Sequence, residues 1–596
     1  MFALGYNITM EPPFDETSPA ESPSSNYEIL ENPIERQIEW APQNEIEKTA
    51  LGLARLIKNE NGEAYFVGGY PRDLIMREHK EVYPHFSFKP NDIDLATNLL
   101  PEQVLDILEK NQIKTSLVGK QFQVVNAVIK IDEKPVEFEI ATYRVEGDYG
   151  PDRRPKFVAA TRNKRDDMAR RDFTMNALLF DPEAKTILDY THGLEDIKER
   201  TLRFVGDARE RIQEDPLRIL RYVRFRNKFQ MKFDKTVRGF IQKHANLINN
   251  LPGERIKEEM DKILTLPRAS YAISTLERVG VLEKILPEIH ALIGVLHTPK
   301  DRAPEIHQEG EVYTHALKTL NAVNQPEFIE AARSALNLDQ TLTKTEVVDR
   351  FYSRYGAGFA WANLFHDAGK AQTQEFQEAT DGKPTRYTFY GHEQKSLELF
   401  ESLDQSGRIR FSNEEKKQIK FLIENHMKAH HVGGVESAEL TPRVKKKLFR
   451  SEFAEQLLFL QLTDSLGNYS ENQRPEKVTR FQKAWQELTA FKAEELGFEQ
   501  RQALGHEISQ FAIAALTQGQ AFDETKGLPI IGPIKTTVLL LCLEKKIEAS
   551  QIQEKVTEVK DLLEKNNVIA ISNVGEMKAA AQKILEAHYQ IHFEDL

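Results

Sequence analysis

The chain is poor in cysteine: Cys542 stands alone among 596 residues. That excludes an intramolecular disulfide and any zinc site built on several thiolates, and it points to a reducing compartment. Long hydrophobic runs are missing too. The most apolar stretch, VLLLCL, ends at Leu543 and falls far short of the about 20 residues a membrane helix needs. No basic segment followed by an apolar one opens the sequence, so a soluble cytoplasmic protein without membrane contact is expected. Nor is there a surplus of positive charge. With 80 basic against 92 acidic residues, net −12, indiscriminate binding of polyanions is excluded, and any RNA contact must come from local basic patches.

What is present starts with length, since 596 residues predict about three to five domains. The chemistry concentrates near residue 64, where a short apolar strand, Ala64 to Val67, runs into Gly68 and Gly69, followed by Arg72 and Asp73. The glycines let backbone turn tightly beside a ligand such as phosphate. After a polar loop comes Asp92-Ile93-Asp94. Period-two geometry puts both carboxylates on one strand face while Ile93 points to the core. Oxygen ligands so placed suit Mg²⁺, and the order of strand, glycine pair and acid pair fits two-metal nucleotidyl transfer. Either piece alone has a bland reading, as a plain turn or a solvated strand end.

Residues 1 to about 45, rich in Pro, Ser and Glu, read as a disordered acidic leader. Helical spacing follows from Asn44 to Lys58. FQVVNAVIKI and VEFEIATYR alternate like strands beside the acid pair, and Glu139 is either a third metal carboxylate or a solvated glutamate. The basic stretch from Tyr149 to Arg171 is a solvated loop or an arm over phosphates. In EDPLRILRYVRF, Arg218, Arg221 and Arg224 recur every three residues, and Asp215 lies three before Arg218. On one helix side these could be surface ion pairs. The functional reading is base recognition, with Asp215 accepting from an exocyclic amine and Arg218 donating to a ring acceptor, which favours cytosine and adenine.

The motifs GGYPRD, NDIDLAT, RRDFTMNAL, DYTHGLED, EDPLRILRYVRF and PGERIKEEMDKIL, in order across residues 63 to 265, resemble those of class II tRNA nucleotidyltransferases, the CCA-adding enzymes of the bacterial tRNA nucleotidyltransferase and poly(A) polymerase family. The resemblance implies an α+β fold: a polymerase-β-like head with a mixed sheet and helices over 46–185, then a mostly helical neck over 186–268, body over 269–480 and tail over 481–596. It implies that Asp92 and Asp94 hold Mg²⁺ and that Gly69, Arg72 and Arg171 contact the triphosphate. Asp215 and Arg218 would choose the base, supported by Arg221 and Arg224, with Asp172 near the ribose. The implied reaction adds C and A to the tRNA 3′ end from CTP and ATP, releasing pyrophosphate. The loop between Asp73 and Asp92 is longer than the family usually carries.

Beyond residue 265 the pattern is almost wholly helical and holds His315, His366, Asp367, His392, His426 and Asp464. Imidazoles and carboxylates on separate helices could form one or two transition-metal sites, although a lone helical histidine is more often packing. The set resembles the HD phosphohydrolase domain fused to some CCA-adding enzymes. By that resemblance His315, His366, Asp367 and Asp464 hold one divalent metal, and His392 and His426 another. The tail with its turn at Gly527–Pro533 would hold the tRNA. TPRVKKKLFR, residues 441–450, is an RNA contact or an exposed helix. Rival readings are a poly(A) polymerase, an enzyme adding only CC or A, a metal phosphohydrolase with an RNA-binding head, and a noncatalytic RNA binder.

Overall fold

The computed structural model describes residues 28–84, 88, 92–117, 123–132, 134–147, 158–299, 310–379, 385–432, 440–468, 475–492, 508, 512, 531–543, 551–566, 568 and 574–589. Much of the basic stretch after Tyr149, part of the long loop before Asp92, and the turn from Gly527 up to Ile531 lie outside them. The chain divides into two compact units, Met1–Glu439 with Glu455–Gln482, and Leu440–Ala454 with Lys483–Leu596.

An eight-stranded mixed sheet organises the head of the first unit. Its strands are β1 (Ile34–Gln37), β2 (Tyr65–Val67), β3 (Asp94–Thr97), β4 (Lys114–Leu117), β5 (Val124–Ile131), β6 (Lys134–Thr142), β9 (Leu178–Asp181) and β10 (Thr186–Asp189), while β7 (Arg144–Glu146) and β8 (Val158–Ala160) pair separately. The order is β1-β10-β9-β2-β3-β6-β5-β4, and β3 runs parallel to β6. The two alternating stretches form the antiparallel hairpin β5–β6, with β6 beside the acid-bearing strand, as their pattern predicts. The α+β expectation holds, because among the described residues every long element after β10 is helical.

One expectation fails. The acidic leader was to be unstructured to about residue 45, yet β1 pairs along β10, and Ile38 and Trp40 are buried. Averaging composition over the leader conceals these apolar residues. The Trp40 ring packs edge-on against Phe180 at 5.3 Å, and its indole N–H donates to the Tyr70 hydroxyl at 2.8 Å, which in turn donates to Glu47 on helix Glu45–Asn59. A buried indole needs such a partner.

The motif DYTHGLED builds one turn from several of its residues. The Asp189 carboxylate accepts the backbone N–H groups of Thr191, Gly193 and Leu194, closing the turn into helix Gly193–Glu199. A side chain at Gly193 would collide with the Thr174 carbonyl. Thr174 itself donates to buried Asp196 at 2.6 Å, so this turn fixes the RRDFTMNAL segment against the sheet.

In the second unit, TPRVKKKLFR forms helix Pro442–Phe449, with Leu448 and Phe449 buried and Arg443, Lys446 and Lys447 exposed. Among the described residues no helix is long and apolar enough to cross a membrane.

Candidate active site and metal centre

Gly68 ends β2 and caps helix Gly69–Glu78 with φ of 76°, a conformation that favours glycine. A side chain there would stand 3.5 Å from Arg171 Nη1 and 3.8 Å from Asp94 Oδ2, so the missing Cβ opens a cradle between a helix N-terminus, a guanidinium and a carboxylate. The Arg171 Nε is buried without a hydrogen-bond partner. Helix N-terminal amides and a guanidinium suit phosphate oxygens.

Ile93 is fully buried between exposed Asp92 and half-buried Asp94, so the predicted alternation holds. Burial first, then the charges of Asp92 and Glu139, push the Asp94 carboxyl up to about 7, against the pull of Arg171. Three acids whose charges reach one another suit a hard divalent cation, which would relieve their repulsion. A carboxyl raised above its unfolded value binds its proton more tightly in the folded state, so the metal-free protein loses stability as pH climbs from about 4 to about 7. A cation must displace that proton. Mg²⁺ affinity measured by titration calorimetry is therefore expected to rise by up to about tenfold per pH unit below 7 and to level off above it. Affinity that is flat over this range would contradict the cluster.

Arg72 is buried. It donates to Asp73 and, through Nη1, to Asn176 at 2.7 Å, and it lies over the Phe229 ring at 4.5 Å. It thus ties helix Gly69–Glu78 to helix Leu217–Lys228. Asn176 donates to Asp172 at 3.2 Å, and Asp172 accepts Arg221 Nε at 3.0 Å. Burial alone would raise the Asp172 carboxyl, but Arg221, Asn176 and the Phe173 amide bring it below its ordinary range. Arg224 Nε reaches Glu259 at 2.7 Å, and Arg221 Nη1 is 3.5 Å from the same carboxylate.

Asp215 and Arg218 do not share a helix side. Asp215 lies in the extended link after helix Ala208–Glu214, and Arg218 sits in the first turn of the next helix, because Pro216 breaks the segment. Asp215 pairs with Arg255 at 2.7 Å, while Arg218 donates to Glu214 at 2.6 Å and to the Arg211 carbonyl. Asn176, Glu259 and Arg255 were missed as individuals, although RRDFTMNAL and PGERIKEEMDKIL contain them.

The six residues of the second constellation converge. His315, His366 and Asp367 bring ligand atoms within 4.8 Å of one another, as do Asp367, His392 and His426, so Asp367 is common to both groups. Asp464 Oδ1 is 3.0 Å from His315 Nε2. The Nδ1 atoms of His366, His392 and His426 lie 2.9, 2.8 and 2.7 Å from the carbonyls of Asn363, Phe389 and Ile423. Carbonyls only accept, so each Nδ1 carries the hydrogen and each Nε2 presents a lone pair to the centre. His392 Nε2 and His426 Nε2 face each other at 3.2 Å. Burial first, then His366, pushes His426 down to about 3, so the His426 ring brings no proton to that contact. A divalent cation between the two nitrogens would ease it, and this donor set fits one. Burial would raise Asp367, yet Lys370, His366 and His392 hold it well below its ordinary range. Two neighbours escaped the sequence reading: Lys370, 2.7 Å from Asp367, and His430, 2.7 Å from Asp464 and four residues after His426 in the same stretch.

Residues 64–203 match the model of the poly A polymerase head domain, and residues 230–293 match that of a probable RNA and SrmB-binding site of polymerase A. A CCA-adding enzyme of Geobacillus kaustophilus is 35% identical over 283 residues, 47% of this chain and 65% of the relative. A poly(A) polymerase I of Haemophilus influenzae is 33% identical over 267 residues, 43% and 54% of the respective chains. The chain therefore spans less than two thirds of these relatives' own lengths. A Bacillus stearothermophilus CCA-adding enzyme solved in complex with CTP aligns at 21% identity and a TM-score of 0.48, covering 88% of this chain and all of that one. The head-domain match over residues 64–203 and the two relatives agree with the family resemblance carried by the motifs.

Proposed function

We propose that the chain, whose residues 64–203 match the poly A polymerase head domain, belongs to the family shared by CCA-adding enzymes and poly(A) polymerases and adds C and A to the 3′ end of tRNA from CTP and ATP, releasing pyrophosphate. The observation that carries this is the Gly68 cradle, where a side chain would stand 3.5 Å from Arg171 Nη1 and 3.8 Å from Asp94 Oδ2, with the charges of Asp92 and Glu139 acting on Asp94. Asp92 and Asp94, with Glu139, would hold Mg²⁺, which when bound activates the RNA 3′ hydroxyl and offsets charge on the departing pyrophosphate. Gly69 at its helix N-terminus and Arg171 take the triphosphate. Arg72 braces them from behind, since its guanidinium is already committed to Asp73, Asn176 and Phe229. Asp172, Arg221 and Arg224 form the braced wall of the site, and Asp215 and Arg218 at the joint between two helices choose the base. The head over 46–185 carries the chemistry, the neck over 186–268 the selection, and the tail over 481–596 the tRNA, in a cytoplasmic setting.

Arg218→Ala is expected to raise incorporation of UTP and GTP relative to CTP and ATP by about tenfold or more, the worth of one base-edge pair, with triphosphate binding weakened less. Competition assays with sequenced products check this, and unchanged discrimination would remove the base-edge proposal. The Haemophilus relative keeps a poly(A) product as the rival outcome in the same sequencing.

A second activity is favoured by the convergence on Asp367. The centre built by His315, His366, Asp367, His392, His426 and Asp464 would hold one or two divalent transition metals and hydrolyse a phosphoester, as in an HD phosphohydrolase.

A further inference from the structure

Arg211 lies in sequence between Arg171 and Arg218, on helix Ala208–Glu214, and its guanidinium is used in three directions. Nη2 donates to the Ala169 carbonyl at 2.6 Å, Nε to the Val205 carbonyl at 2.9 Å, and Nη1 to the Glu214 carboxylate at 3.1 Å. Each acceptor leads to a different part of the head site. Ala169 ends helix Lys164–Ala169 two residues before Arg171, and a carbonyl in the last turn of a helix has no partner within it. Val205 donates its own N–H to the Asp172 carbonyl at 3.1 Å. Glu214 accepts Arg218 Nη1 at 2.6 Å, and that same atom reaches the Arg211 carbonyl at 2.7 Å. The Arg211 side chain is only 19% exposed and its donors are turned to the protein, so it acts on a nucleotide through these neighbours.

We propose that Arg211 is a positioning residue for nucleotide selection, holding Arg171 at the triphosphate in fixed register with Arg218 at the base. The proposal rests on the nucleotide-adding reading of the head. Two carbonyls and a carboxylate in three directions match a planar fork of donors, whereas a lysine ammonium, with all its donors on one atom, cannot span them. With the fork in place, a triphosphate whose base fits Arg218 brings its phosphates to Arg171, and one whose base does not fit reaches that guanidinium out of place. A misplacement of about 1 Å costs about 100-fold in rate, so the link turns a preference at the base edge into a difference in incorporation. Without the link Arg218 keeps its bond to Glu214, but the two guanidiniums shift independently, and a mismatched triphosphate meets Arg171 as readily as a matched one.

The test is Arg211→Lys in the full chain, which keeps the charge and the apolar stem but not the fork. With a tRNA lacking its 3′ CCA as acceptor, kcat/KM for CTP over UTP should fall about tenfold, the worth of one base-edge pair, through a higher KM for CTP, while the thermal unfolding temperature stays at that of the wild type. Unchanged discrimination overturns the proposal. A loss of discrimination that comes with a lowered unfolding temperature assigns Arg211 to holding the fold alone and overturns it as well. If the wild-type protein adds neither nucleotide, the reading of the head falls, and affinity measured by titration calorimetry without tRNA decides Arg211 by itself. Arg211→Lys should then weaken CTP binding about tenfold and UTP binding less. Equal affinity of variant and wild type for CTP, or no CTP binding by the wild type, overturns the positioning role.

Discussion

Asp92→Ala is expected to lower nucleotide incorporation by at least about a thousandfold, the scale of several kcal/mol of charge stabilisation at a transferring phosphoryl group, with folding intact. Asp92 is exposed, so its removal opens no cavity and strands no buried partner. It also takes away one of the two acids that raise Asp94, so the remaining carboxyl returns toward its ordinary range even as the site loses a ligand. Activity and stability should therefore part company, which a merely structural acid would not show. Incorporation rates read beside thermal unfolding test this, and a variant that extends tRNA at the wild-type rate would refute the assignment.

Asp367→Ala is expected to empty the second centre. Its carboxylate is the only group common to both ligand sets, and it faces Lys370 at 2.7 Å and His392 at 3.2 Å. Loss of that ligand should weaken metal binding by at least about 100-fold, since losing even a partner that only orients a ligand costs about 10- to 100-fold. Without it the opposed Nε2 atoms of His392 and His426, 3.2 Å apart, lose the charge that draws a cation between them. Elemental analysis of purified wild-type and variant protein reads the metal directly. Equal metal content in both would show that the cluster is held by packing alone, whereas tRNA extension by the head should persist in the variant.

Much of both sites was legible because their residues announce themselves locally. Asp92 and Asp94 are two apart at the start of β3, which begins at Asp94, and the histidines and acids of the second centre each stand in a short motif, so residue type and spacing singled them out. Partners far along the chain were not legible. Arg224 meets Glu259 across 35 residues and Arg221 meets Asp172 across 49, and no periodicity connects such pairs. The expectation that Asp215 and Arg218 line one side of a single helix failed for a local reason, since Pro216 separates one helix from the next. The edge strand β1 was hidden by the polar residues around it, because the composition of a window says little about three apolar residues that find a sheet edge.

The central claim is nucleotide addition at the Asp92–Asp94 pair with the base chosen by protein groups. A tRNA lacking its 3′ terminal CCA, incubated with the purified protein, Mg²⁺ and each triphosphate singly and together, with the products sequenced, tests it most directly. The account predicts C and A appended in the presence of CTP and ATP, nothing from UTP or GTP, and nothing once the divalent cation is chelated. Extension that ignores base identity, or that proceeds without the cation, would contradict it.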